Sequence, residues 1–400
     1  MNMIIIKKEY SIITKQIFSN FVRSAHATAS FKANNSSCQD EMEFYSFFDT
    51  KLISKVIYSK PNGLIKILKT IYGKFPIVAE WYCPEYFYRN LNFEFDINNE
   101  ISLKLTTKAN RLIVSDIVNH YINEIERFNS LTPSHFSKFI IHSYNSNEEL
   151  VLIKKMIKHL INMKNGKAKS HMIDFQSVKW VKEIDSLLNY SHLKKNDAYQ
   201  LAQDLDIHAC PFCNNEEIEV IAGKQTKDYR PAFDHFIPKN KHPLVSLSLY
   251  NLIPSCGKCN ETYKLEADPM LTALASPFII GVTEDLLFNF TYDVNYIYGN
   301  GELIDSQIEI LLHNQNSPLD LNMKQFDIAN RYNTASAKQT ARKIAKLSAD
   351  KQAYKPNFDI NPVLFSCYGY EENIEPLKHQ KKKFIQDAIF YFSGKKVRLY

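Results

Sequence analysis

Two pairs of cysteines constrain this chain more than any other feature: Cys210-Pro-Phe-Cys213 and Cys256-Gly-Lys-Cys259. Two residues between thiols let both sulfurs of one tight turn reach the same edge of a metal ion, and two such turns supply four sulfur ligands. Four thiolates close a tetrahedral ion to water, so the expected ion is a structural Zn2+ that ties distant segments together and does no chemistry. A dithiol redox role would explain one pair and leave the other without a purpose. Cys38, Cys83 and Cys367 stand alone and read as small buried side chains. Plain zinc ribbons separate their pairs by roughly 15 to 20 residues. Here 42 residues intervene, so the insert must carry structure of its own.

At 400 residues the chain is long enough for two or three cores. Neither a GxxxxGKS/T nor a GxGxxG run occurs among its 10 glycines, so the common backbone cradles for nucleotide phosphates are missing and an ATPase is not expected. The longest apolar runs, such as 4–6, fall far short of the roughly 18 residues that cross a bilayer. The start, MNMIIIKKEY, lacks the long apolar core of a secretory signal. The expectation is a soluble, cytoplasmic protein with free thiols and no membrane partner. A net charge of +6 permits a nucleic-acid partner without demanding one. Positions 321–400 hold 15 Lys and Arg against 7 Asp and Glu, a local excess larger than that of the whole chain.

Residues 1–180 read as an α-rich unit without an assignable motif. Over 112–128, Val114, Ile117, Val118, Tyr121, Ile122, Ile125 and Phe128 recur at helical spacing and predict one packed face. A second helix is expected over 149–163, packing Leu152, Met156, Leu160 and Met163 beneath a solvated basic face of Lys154, Lys155, Lys158 and His159. The aromatic stretch 75–95 is interrupted by Pro76 and Pro84 and reads as core rather than as a base-stacking platform. Polar residues over 165–170 read as a linker. The helix expected over 335–347 carries Lys338, Arg342, Lys343 and Lys346, a basic face suited either to DNA or to solvent. His208, just before the first cysteine pair, and His242, within the insert, flank the Asp-His motif and read as ordinary satisfied or solvated histidines.

The insert contains RPAFDHFIPK (230–239) and LYNLIPSC (249–256), and the second cysteine pair runs directly into NETYK (260–264). Here the sequence resembles the HNH endonucleases, and over 184–264, about a fifth of the chain, it resembles the bacterial HNH group encoded beside ATPases in phage-defence loci such as Septu systems and some retrons. The matching positions are Asp234, His235, Asn251 and Asn260, with Asn in place of the family's third His. The resemblance implies a ββα-metal module: an Asp-His pair ending one strand, an Asn opening the next, and a helix completing a cation site.

On that resemblance each residue type takes a role. His235, with an unperturbed pKa near about 6.5, serves as general base toward water. Asp234 and Asn260 offer oxygen to a hard cation, Mg2+ or Mn2+. Asn251 pins the loop that carries His235, and Lys264 and Lys239 supply cations for phosphate. The expected fold class is α+β, a mainly helical chain with a zinc-stapled ββα-metal module in the middle. Its expected divisions are an α-rich unit over 1–180, the nuclease module over 181–275 and a basic unit over 276–400. The expected function is hydrolysis of DNA phosphodiesters as the effector of a bacterial anti-phage system, with a separate ATPase as partner. The alternatives are an RNA- or tRNA-cleaving toxin and a catalytically inactive zinc module that binds nucleic acid or a protein partner.

Overall fold

Ser11, Asp49, Thr107 and Ser134 each accept a hydrogen bond from the backbone N–H three residues on, capping the first orphan donors of four helices. In the computed structural model these helices are α1 (Ile12–Asn35), α3 (Thr50–Tyr58), α7 (Lys108–Leu131) and α8 (His135–Asn145). Between and after them run α2 (Gln39–Phe47), α4 (Pro61–Lys74), α5 (Pro76–Tyr82), α6 (Pro84–Phe87), α9 (Leu150–Lys164) and α10 (Lys195–Leu205). Proline opens α4, α5 and α6, where its missing N–H costs no helical bond. The structure describes residues 4–93, 100–168, 176–221, 229–282, 286–293, 308–313, 319–354, 361–371 and 375–394, without the side chains of 176–178 and 351–354. The end of the expected linker, 169–170, and the end of the aromatic stretch, 94–95, lie outside the described residues.

The described residues are mostly helical, with two small antiparallel sheets, an α+β composition. The α7 face is the one its periodicity predicts: Val114, Ile117, Val118, Tyr121, Ile122, Ile125 and Phe128 are all buried. On α9 the stripe is rotated from the expected one. Ile153, Met156, Ile157, Leu160 and Met163 are buried, while Leu152 is exposed, because α6, α7 and α8 cover the face one residue further on. Tyr86, Phe87 and Tyr88 of the aromatic stretch are buried, as expected of core. Cys83 is buried too, whereas Cys38 is only half-buried and Cys367 is exposed, against the expectation for lone cysteines.

A 3-10 segment, Gln176–Leu188, returns to pack on α1 and α5, and α10 packs on α1. These contacts cross position 180, and the buried apolar side chains on either side belong to one continuous cluster. The chain start runs along the same region: Ile4 and Ile6 donate to the carbonyls of Pro211 (3.3 Å) and Pro277 (2.8 Å). Gly281 permits that passage, since a Cβ there would lie 2.4 Å from the Ile5 nitrogen.

The first sheet pairs β1 (Ala232–His235) with β2 (Leu252–Ser255), with Ala232 opposite Ser255 and His235 opposite Leu252. A helical segment, Lys258–Lys264, wound as a π-helix, follows directly and packs on β1. The second sheet pairs β3 (Phe288–Tyr292) with β4 (Ile308–Leu312) and is covered by the helix Lys382–Ser393. Asp387 of that helix accepts from the Leu287 (2.8 Å) and Phe288 (3.1 Å) amides, anchoring the cover to the strand. No helix among the described residues is long and apolar enough to cross a membrane.

Candidate functional site

Cys210 and Cys213 lie on the turn that follows α10, Cys256 directly after β2, and Cys259 on the first turn of the π-helix. All four are buried, and their sulfurs lie within 4.8 Å of one another. The Cys213 and Cys256 sulfurs are 3.9 Å apart. Four thiolates around one Zn2+, at about 2.3 Å each, stand roughly 3.8 Å apart, so the cluster has the dimensions of the ion it would hold. The amides of Asn215 (3.4 Å), Cys256 (3.5 Å) and Cys259 (3.4 Å) point at sulfurs.

Arg331 tests the fit independently. One of its Nη atoms donates to the Cys259 sulfur at 3.1 Å, its guanidinium covers the Tyr263 ring at 4.8 Å, and its other Nη is buried without a partner. It pairs with no carboxylate among the described residues. Burial works against its charge, and the sulfurs of Cys213, Cys259 and Cys256 more than offset that. A buried guanidinium facing sulfur is stable where the sulfur is anionic, the state metal ligation imposes. The donor set and its surroundings therefore suit Zn2+.

The C-terminal part grips the same knuckle. Tyr332 donates to the Cys213 carbonyl (2.9 Å), and Phe212 stacks on Phe326 with ring centres 4.7 Å apart. Asn214, held at φ 52°, donates to the carbonyls of Pro376 (2.8 Å) and His379 (3.2 Å) and accepts from the Lys383 amide (3.0 Å). The left-handed backbone is one that Asn tolerates better than most residues.

Asp234 and His235 end β1 and take different partners. Asp234 is 2% exposed, with one carboxylate oxygen 3.1 Å from the Lys264 ammonium and the other buried without a partner. Burial pushes its carboxyl up, against the pull of Lys264. Lys264, also 2% exposed, donates to the His235 carbonyl at 2.8 Å as well. This corrects the expectation that Lys264 meets phosphate. The π-helix directs its stem inward, and its ammonium is spent on Asp234 and on the backbone of β1.

The His235 imidazole is half-buried, edge-on to Tyr190 with ring centres 4.8 Å apart. Its Nε2 lies 3.0 Å from the Ser246 carbonyl. A carbonyl only accepts, so Nε2 carries the proton and Nδ1 keeps its lone pair. Burial, followed by the charge of Lys239, pushes the imidazole down to about 3, with the Ser246 contact opposing. Lys239 itself is exposed, with its ammonium 5.1 Å from the Tyr190 ring centre.

Asn251 is fully buried, at 0% exposure, just ahead of β2. Its side-chain oxygen accepts from the Ile237 amide (2.7 Å), and its amide group donates to the carbonyls of Ile237 (3.0 Å) and Val245 (3.0 Å). The loop over 236–248 is thus closed on itself by one side chain, and Ser246 on that loop sets the His235 tautomer. Asn260, on the π-helix, is half-buried, and its backbone amide bonds the Cys256 carbonyl (3.1 Å).

No family model, no curated protein and no solved structure matches this chain. Sequence reasoning missed Arg331, Tyr190 and Ser246, which no spacing rule marks. It also took His242 and Cys83 singly, whereas both meet Asp268 in a second buried cluster. His208 conforms to the ordinary reading, part-exposed beside Asp206 at 3.3 Å.

Proposed function

We propose that this chain is a metal-dependent HNH-type endonuclease that hydrolyses phosphodiester bonds, with DNA as substrate. The observation that carries the reading is the state of His235. Its Nε2–H is committed to the Ser246 carbonyl, which leaves the Nδ1 lone pair free, and it sits at the end of β1 beside a buried carboxylate. A ring so held offers Nδ1 to a water. The proton of that water passes to Nδ1 as its oxygen bonds phosphorus, and the bond from phosphorus to O3′ breaks, O3′ leaving as an oxyanion that takes a proton from solvent, to give a 5′-phosphate and a 3′-hydroxyl. A phosphate anion beside the ring counters the charge of Lys239 and strengthens the base.

The unpartnered oxygen of Asp234 supports a cation at this place, with Asn260 as the second oxygen donor. A bound Mg2+ or Mn2+ would take up charge on the phosphoryl oxygens and on the leaving O3′. The order β1, β2, helix, with Asn251 closing the loop between the strands, supports the ββα reading. Lys239 is the cation left to meet phosphate beside His235, and the helix Ala335–Tyr354 carries Lys343 and Lys346 exposed, the basic face that a nucleic-acid backbone would meet. The rest follows the resemblance: a cytoplasmic effector of anti-phage defence, whose nucleotide control comes from a separate ATPase.

One observation favours a second reading. The Lys264 ammonium already neutralises Asp234, which suits a zinc module that binds nucleic acid or a partner without cutting. A plasmid nicking assay with Mg2+, with Mn2+ and with EDTA separates the two. The nuclease reading expects cation-dependent nicking by the wild type and at least a 100-fold loss in His235→Ala with zinc content unchanged. Equal rates in both proteins dismiss it. Running plasmid, single-stranded DNA and total RNA side by side assigns the substrate, and cleavage of RNA alone transfers the proposal to an RNA-directed toxin.

A further inference from the structure

A second cluster of ligand-type side chains lies apart from the four cysteines and from His235. Cys83 stands at the end of α5, His242 on the loop between β1 and β2, and Asp268 on the turn after the π-helix. All three are buried, and their Sγ, Nε2 and carboxylate oxygen lie within 4.8 Å of one another. We infer that Cys83, His242 and Asp268 form a second transition-metal site, of the kind that takes Zn2+, joining the N-terminal helices to the cysteine insert.

One Asp268 oxygen is 3.6 Å from the Cys83 sulfur and 2.8 Å from His242 Nε2. Around a tetrahedral Zn2+ the same pairs stand roughly 3.5 Å and about 3.3 Å apart, so the ion enters with an opening of about half an ångström on the histidine side. The other Asp268 oxygen is taken by the Met270 amide at 2.9 Å, which turns the free oxygen toward the cluster. His242 presents Nε2 inward, and its Nδ1 lies 2.8 Å from the Tyr72 hydroxyl, an outer partner that fixes the ring as in metal-bound histidines.

As a thiol Cys83 donates to Asp268; once that proton is released to make room for a divalent ion, thiolate and carboxylate sum to minus two, and the ion with a neutral imidazole brings the group to zero. Lys241, whose charge bears on Cys83 and Asp268, is already paired with Glu85 at 3.1 Å. Sulfur, imidazole and carboxylate together are donors of Zn2+ rather than of Mg2+. Three protein ligands leave the fourth position to a water.

The site is independent of the nuclease reading, and so is its test. The full-length chain is saturated with Zn2+, dialysed and assayed for metal per chain. Two ions are expected in the wild type and one in Cys83→Ser and in Asp268→Asn. With Co2+ in place of Zn2+, the thiolate charge-transfer band reports five sulfurs in the wild type and four in Cys83→Ser, a loss of about a fifth. His242→Gln, which keeps a polar side chain beside Tyr72 and Asp268, guards against a variant that fails to fold and is expected to hold one ion. One ion in the wild type overturns the inference, leaving the three side chains a hydrogen-bonded group. So does a Cys83→Ser band as strong as that of the wild type.

Discussion

Replacing Asn251 by Ala removes three hydrogen bonds from a fully buried place. The Ile237 amide loses its acceptor, and the Ile237 and Val245 carbonyls lose their donors. Each net bond is worth about 1 kcal/mol, and a buried group left unpaired costs at least as much. The expected loss is therefore about 3 kcal/mol, a little over two orders of magnitude in the opening equilibrium of the 236–248 loop. Amide hydrogen exchange read by mass spectrometry over that loop is the assay, with zinc supplied so that the cysteine cluster stays closed. Protection in Asn251→Ala should fall roughly 100-fold or more, centred on the Ile237 amide. Asn251→Asp sharpens the test, because it keeps the acceptor for Ile237 and turns a second oxygen toward two carbonyls. It should lose as much protection as Ala at pH 7, through repulsion between oxygens. Protection within threefold of wild type in Asn251→Ala would refute the view that this side chain holds the loop.

The His235 ring titrates at about 3 in the fold and near about 6.5 when unfolded, so the unfolded chain binds the proton first. The stability it contributes is complete above pH 6.5 and is lost as pH falls toward 3, by up to about 1.4 kcal/mol per pH unit. Urea midpoints between pH 7 and 4.5 should therefore fall more steeply in wild type than in His235→Gln, and parallel lines would refute the burial of this ring. Arg331→Met removes the charged donor to the Cys259 sulfur and should lower zinc affinity by about 10-fold or more in competition with a chelator. An unchanged affinity would mean that the guanidinium does not sense the thiolates.

The parts that were legible are those written in local spacing. The α7 face repeats every three or four residues because the helix itself repeats, so seven apolar positions announced their own burial. The cysteine pairs were legible for a similar reason, since a two-residue gap sets the reach of two sulfurs on one turn whatever surrounds them. On α9 the same reasoning misplaced the stripe by one residue at Leu152, because neighbouring helices choose among adjacent faces of nearly equal hydrophobicity. Lys264 carries the clearest limit. Its position one turn past Asn260 suggested a hand for phosphate, but whether a lysine stem lies outward or inward depends on what stands opposite. Here that is a buried carboxylate on β1.

The chain's own order therefore determined which turns bear sulfur, where long helices run and that an Asp-His pair closes a strand candidate. Only the folded molecule decided that Arg331 meets Cys259, that Ser246 sets the His235 tautomer, and that Cys83, His242 and Asp268 share one buried point. Those partners lie far apart along the chain or on loops of irregular length. No periodic pattern encodes such encounters; they follow from how separate segments fill a common interior, where burial and unpaired polar atoms select the arrangement.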